Sequence, residues 1–134
     1  MKTVEIAVCD DEQVHIDRIV KYIEVYSEES EININITSYN SGMELLKDIE
    51  NDDLKYDIIF LDVEMPEING VDIARQIRKI TQDVIICFVT SFDKYAIQAY
   101  GVEALAYVVK PVAYAELKRV LSRAVVLVQY TFDY

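Results

Sequence analysis

Along this chain the hydrophobic residues alternate between two kinds of spacing. Short unbroken or alternating apolar runs predict strands, and stretches with an apolar residue every three or four positions predict helices. Val4-Glu5-Ile6-Ala7-Val8-Cys9 is β-branched and bounded by acids, so it reads as a strand whose carboxyl end is Asp10-Asp11-Glu12. Ile16, Ile19, Val20 and Ile23 then recur at helical spacing with Asp17, Arg18, Lys21 and Glu24 between them. This is an amphipathic helix, expected to end near Ser27-Glu28-Glu29-Ser30-Glu31. From Ile32 to Tyr39, Ile alternates with Asn or Thr, the pattern of a strand with one poorer face at a sheet edge. Ser41 stands three residues before Glu44, in capping-box spacing, ahead of a helix that buries Leu45, Leu46 and Ile49.

Tyr56-Asp57-Ile58-Ile59-Phe60-Leu61 is a continuous apolar run too short for a helix, which suggests a central strand covered on both faces and ending at Asp62. A loop, Val63 to Gly70, leads into a helix with Ile73, Ala74, Ile77 and Ile80 as its inner face. Val84 to Val89 is another buried strand, ending at Thr90-Ser91, and Asp93 to Tyr100 a short helix with Ala96, Ala99 and Tyr100 on one side. Ala104 to Val109 makes a fifth strand, ending at Lys110-Pro111, and Leu117, Val120, Leu121, Ala124 and Val128 are the stripe of a last helix. Five strand-then-helix units imply a doubly wound α/β fold, a five-stranded parallel sheet with right-handed crossovers and helices on both faces. A weak second strand at the edge fits the flavodoxin-like (βα)5 order 2-1-3-4-5.

With 134 residues the chain is expected to form a single domain, with a core over about residues 4–122 and a helix extension or linker start over 123–134. The net charge of -11 argues against direct nucleic-acid binding, which needs a Lys/Arg patch to neutralise phosphates, and favours a basic partner or a cation. The Ser27–Glu31 run reads as solvated surface. The N-terminal residues carry no signal-peptide apolar core and no stretch is an uninterrupted span of bilayer length, so a cytoplasmic location without membrane contact is expected. Cys9 and Cys87 both lie in β-branched apolar runs and read as buried hydrophobes rather than redox or metal groups.

In open α/β sheets ligands bind beyond the carboxyl ends of the strands. Here those ends carry Asp10 and Asp11 on the first strand, Asp62 on the third, Thr90 on the fourth and Lys110 on the fifth. Three carboxylates in one crevice repel one another unless a cation neutralises them, and hard oxygen ligands suit Mg2+. A carboxylate can attack a phosphoryl group to form an aspartyl phosphate, with an ammonium and a hydroxyl contacting the phosphoryl oxygens.

These residues resemble the receiver domains of bacterial two-component response regulators. The resemblance covers about residues 4–122 and rests on Cys9-Asp10-Asp11-Glu12, on DIIFLDVEMPEINGVDIARQIR, on Val89-Thr90-Ser91 and on Ala106-Tyr107-Val108-Val109-Lys110-Pro111. It implies that Asp62 is the phosphoacceptor and that Asp10, Asp11, Asp62 and the backbone carbonyl of Glu64 hold Mg2+. It further implies that Thr90 is the hydroxyl switch, Tyr107 the aromatic switch and Lys110 the partner of the phosphoryl group, and that Lys110-Pro111 is cis. Glu64 and Phe92, two residues beyond Asp62 and Thr90, would tune the lifetime of the phosphorylated state. The implied phosphoryl source is a sensor histidine kinase, and the implied output surface is the fourth helix, fifth strand and fifth helix. The motif CDDE and the stretch TSFDKYAIQAYGVEALAYVVKPV look like receivers attached to LytTR-type DNA-binding domains, with a homodimer forming on phosphorylation. Ala106 stands where the family usually has Asp.

Each residue also has a plainer reading. Asp10 or Asp11 alone would be a helix cap, Lys110 a snorkelling lysine, Thr90 a strand terminus and Tyr107 core packing. His15, the single histidine, reads as a surface residue rather than a ligand or base, and Gly70 as a source of backbone freedom. Among other functions, a phosphatase of haloacid-dehalogenase type uses a strand-end Asp with Mg2+, but Glu64 replaces its second acid and no cap domain is present. A flavodoxin-like electron carrier would meet acids instead of a phosphate loop after the first strand, and a degenerate receiver would lack the complete acidic set.

Overall fold

The computed structural model describes residues 3–51 and 55–133, with the side chains of 131–133 outside the description. The elements are β1 (Val4–Cys9), α1 (Gln13–Ser30), β2 (Ile34–Tyr39), α2 (Gly42–Asn51), β3 (Ile58–Leu61), α3 (Gly70–Ile80), β4 (Ile85–Thr90), α4 (Ala96–Gly101), β5 (Ala106–Val109) and α5 (Tyr114–Asp133). All neighbouring strand pairs are parallel, in the order β2-β1-β3-β4-β5. The order reverses at β1, where the chain goes first to one side and then to the other, and this opens the crevice between β1 and β3.

Successive side chains on a strand point to opposite faces, so each central strand feeds two cores. Ile6, Val8, Ile58, Phe60, Cys87 and Val89 pack with Ile16, Ile19, Ile23 and Tyr26 of α1 and with Leu117, Leu121 and Ala124 of α5. Ala7, Cys9, Ile59, Leu61, Ile86 and Phe88 pack with Leu45, Leu46 and Ile49 of α2, with Ile73, Ala74 and Ile77 of α3, and with Ala99. Burial on both faces explains the unbroken apolar runs of β3 and β4. β2, at the edge, keeps alternate residues outside.

α1 ends within the acidic run as expected, reaching Ser30 because Tyr26 extends the buried stripe one turn beyond Ile23. It ends where Glu31 turns left-handed at φ 59° and donates its N–H to the Ser27 carbonyl. Three expectations shift, for Ile80, for the start of α4 and for Tyr100. Ile80 is not on the inner face of α3, being 47 % exposed at the helix end. α4 begins at Ala96 rather than Asp93. Of its expected face only Ala99 is buried, while Tyr100 is 86 % exposed. A helix of six residues presents little more than one position to a core, and the next buried residue is Val102.

Gln129 and Tyr130 continue α5, which runs to Asp133; Met1, Lys2 and Tyr134 lie outside the described residues. The Lys110-Pro111 peptide is cis, as expected. Both cysteines are free and buried, and burial pushes each thiol up to about 12, so neither is a thiolate near neutrality. Among the described residues no helix is long and apolar enough to cross a membrane.

Candidate functional site at the carboxyl edge of the sheet

Strand register brings the candidate site residues together. Cys9 is level with Leu61, so the next residues, Asp10 and Asp62, leave the sheet side by side, and the Asp62 N–H donates to the Cys9 carbonyl at 3.0 Å. Thr90 is level with Val109, and the following Lys110 N–H donates to the Thr90 carbonyl at 2.8 Å. Asp10 (1 % exposed), Asp62 (6 %) and Thr90 (0 %) are the buried polar residues of the protein among those described.

Carboxylate oxygens of Asp10, Asp11 and Asp62 lie within 4.8 Å of one another. The Lys110 ammonium, 10 % exposed, donates to Asp10 Oδ2 at 2.6 Å and stands 3.6 Å from Asp62 Oδ2. One cation facing three carboxylates leaves the site short of positive charge. Burial and the neighbouring Asp10 push the Asp62 carboxyl up to about 6, against the pull of Lys110, the Thr90 hydroxyl and the Val63 N–H. An oxygen-only set in deficit of positive charge fits a hard divalent ion such as Mg2+. The plain cap reading of Asp10 is realised alongside: its Oδ1 accepts the Glu12 N–H at 2.9 Å, just ahead of α1.

Gly70 owes its place to space rather than to backbone freedom, since no glycine here has positive φ. A Cβ at Gly70 would stand 2.0 Å from the Asp62 carbonyl oxygen, and the Gly70 N–H donates to the Val63 carbonyl at 2.7 Å. The N-terminus of α3 is thereby packed directly under Asp62. Asn69 caps that helix through the Val71 N–H at 2.7 Å.

Thr90 connects onward. Its hydroxyl lies near enough to the Asp62 carboxylate to help stabilise the charged form, and accepts the Phe92 N–H at 3.4 Å. The carbonyl of the same Phe92 receives the hydroxyl of Tyr107, whose half-buried ring tilts against Phe88 at 6.2 Å between centroids. Thr90 and Tyr107 are therefore joined through one backbone residue, Phe92, beside Asp62. The Glu64 side chain is held by the Tyr95 hydroxyl at 2.8 Å and approached by Lys94 at 3.5 Å, while the half-exposed Phe92 ring lies 5.7 Å below the Lys94 ammonium.

The sequence reading misplaced His15. Its side chain is 25 % exposed and its Nδ1 lies 2.7 Å from the Lys110 Nζ, so it belongs to the site instead of the open surface. Tyr95 and Lys94 were likewise not singled out. A histidine one turn after Glu12 on the helix entered from the acidic strand end was the available signal for the first, but its partner is 95 residues away.

A family described as the response regulator receiver domain matches residues 6–122. The sensory transduction protein LytT of Bacillus subtilis is 30 % identical over 118 residues, covering 88 % of this chain and 46 % of LytT. That of Bacillus anthracis is 36 % identical over 107 residues, covering 80 % of this chain and 41 % of the relative. The chain thus spans less than half the length of these relatives. Among solved structures, the response regulatory domain of protein mrkE from Klebsiella pneumoniae superposes with a TM-score of 0.84 at 23 % identity, covering 95 % of this chain and 99 % of that one. Response regulator protein TrrA from Thermotoga maritima, solved in complex with Mg(2+)-BeF, has a TM-score of 0.68 at 30 % identity, covering 90 % and 98 %.

Proposed function

The chain belongs to the response regulator receiver domain family, and from this premise we propose that Asp62 accepts a phosphoryl group from a sensor histidine kinase. The observation that carries the reading is the convergence of oxygens from buried Asp10 and Asp62 and exposed Asp11, with the Lys110 ammonium against the two buried ones. The haloacid-dehalogenase alternative has no support in the family match.

Asp10, Asp11 and Asp62 with the Glu64 backbone carbonyl would hold Mg2+, which when bound supplies the positive charge that lets a carboxylate and a phosphoryl group approach. The remaining roles fall to the chain itself. An Asp62 carboxylate oxygen attacks phosphorus, the bond to the donor's leaving group breaks, and the leaving group departs with that electron pair. Lys110 donates to one phosphoryl oxygen and the Thr90 hydroxyl to another, each within reach of Asp62 in the free protein.

Transmission follows the Thr90–Phe92–Tyr107 chain. Thr90 turning toward the phosphoryl group pulls on the Phe92 backbone that carries Tyr107, and so biases the surface of α4, β5 and α5. That surface exposes Ile97, Tyr100, Val109, Val126, Leu127 and Tyr130, apolar groups suited to a homodimer or to an output segment such as a LytTR-type DNA-binding domain. With a net charge of -11 this domain makes no direct contribution to DNA affinity. Glu64 and Phe92 flank the site and set the lifetime of the phosphorylated state by controlling water access.

Intact-mass measurement after incubation with Mg2+ and acetyl phosphate tests the reading. A labile phosphoryl adduct is expected on the wild type and not on Asp62→Ala. An unmodified wild type, or an equal adduct on the variant, overturns it.

A further inference from the structure

We propose that His15 is a positioning residue for phosphoryl transfer, acting through Lys110. The inference rests on the reading of Asp62 as phosphoacceptor. An ammonium has three hydrogens and no acceptor. One hydrogen of Lys110 goes to Asp10 Oδ2 at 2.6 Å, a second to His15 Nδ1 at 2.7 Å, and the third is left for Asp62 Oδ2, 3.6 Å away. Two fixed acceptors set the orientation of a tetrahedral group, so His15 and Asp10 together determine where the third hydrogen points.

The tautomer follows from the same contact. Since lysine can only donate, Nδ1 accepts, and the ring carries its hydrogen on Nε2. Placing the hydrogen on Nδ1, to donate to Glu12 Oε2 at 3.3 Å, would set two N–H groups against each other at 2.7 Å.

His15 differs from the other partners of Lys110 in one respect. Asp10 and Asp62 belong to the all-carboxylate set with Asp11 that suits a hard divalent cation; the imidazole is not part of that set, and groups instead with Asp10 and Glu12. On its side of Lys110 a cleft of about 250 Å³ is walled by Ile19, Val89, Pro111 and Val112, with no carboxylate among its lining residues. When the Asp10 oxygens are engaged elsewhere, His15 is the partner that keeps a long flexible stem from losing its place. Near-attack geometry depends on this, because a shift of about 1 Å in a positioning group costs up to about a hundredfold in rate.

The test compares His15→Asn, whose amide oxygen can occupy the Nδ1 position as an acceptor, with His15→Leu, which cannot accept. In the presence of Mg2+ and acetyl phosphate, His15→Leu is expected to form adduct about tenfold more slowly and His15→Asn within about threefold of wild type. In a Lys110→Met background His15→Leu should slow the reaction no further. The Lys110 ammonium nitrogen resonance, read in the full chain without phosphodonor, should be protected from exchange in the wild type and His15→Asn and lost in His15→Leu. A wild-type rate for His15→Leu, equal slowing by both variants, full slowing in the Lys110→Met background or an unchanged ammonium signal each overturn the proposal. If the wild type forms no adduct, the Asp62 reading fails, and the ammonium signal still decides whether His15 holds Lys110.

Discussion

A carboxyl group raised to about 6 by burial and by Asp10 makes Asp62 a source of instability in the metal-free protein. Its folded-state value lies above the usual carboxylate value of 3.8, so the folded state favours the protonated form. Stability from this group is fully present below that lower value and is lost as pH rises through about 6. In a chelator, denaturant midpoints should therefore fall between pH 5 and pH 7.5, and Asp62→Asn should gain on the order of 1–3 kcal/mol at the higher pH. A midpoint for Asp62→Asn no higher than wild type at pH 7.5 would contradict this account of the charge balance. Gly70 is constrained more simply. A methyl group placed 2.0 Å from the Asp62 carbonyl must displace backbone, so Gly70→Ala should cost about 1–3 kcal/mol and slow adduct formation on Asp62. Thermal melts and intact mass read the two effects separately.

Between elements, Arg78 ties the end of α3 to two neighbouring segments. Its Nε donates to the Val102 carbonyl at 2.8 Å, and its terminal nitrogens donate to Val84 at 2.7 Å and Glu103 at 3.2 Å. These carbonyls lie just before β4 and just after α4, so one planar fork sets the position of the short helix on the proposed output face. Arg78→Met should cost about 1–3 kcal/mol and raise hydrogen exchange in α4 more than in α1, while Arg78→Lys should rescue little because a single ammonium cannot reproduce the fork. At the end of α1, Glu31 adopts the left-handed conformation at φ 59°, which a side chain with a Cβ enters only under strain. Glu31→Gly should stabilise by about 0.5–1 kcal/mol, the relief of left-handed strain exceeding the added freedom of the unfolded chain. Denaturant unfolding of the purified variant measures it.

For the whole molecule, a net charge of -11 makes any salt stabilising by screening, so a specific ion effect must be separated from a general one. At matched ionic strength, Mg2+ at about ten times its dissociation constant should raise Tm by about 4–7 °C over NaCl. Most of that rise should vanish in Asp10→Asn, which removes one of the three converging charges. Equal rises in MgCl2 and NaCl would mean that the acidic crevice binds no cation tightly.

Element order, the two-faced cores and the five strand-end residues were legible in the chain, because each is written locally. Burial on one or both faces imposes a period, and Asp10-Asp11, Asp62, Thr90 and Lys110 stand at the ends of apolar runs. The tertiary structure alone decided how those ends meet. Parallel register set Asp10 beside Asp62, and the close packing of α3 turned Gly70 from a loop glycine into a spacer under Asp62. It also brought His15 to Lys110 across 95 residues, sent Arg78 to carbonyls on two segments, and left Tyr100 and Ile80 outside. Periodicity reports whether a position is covered, but not by what. Contacts between distant segments depend on register and packing angle, which no local pattern encodes.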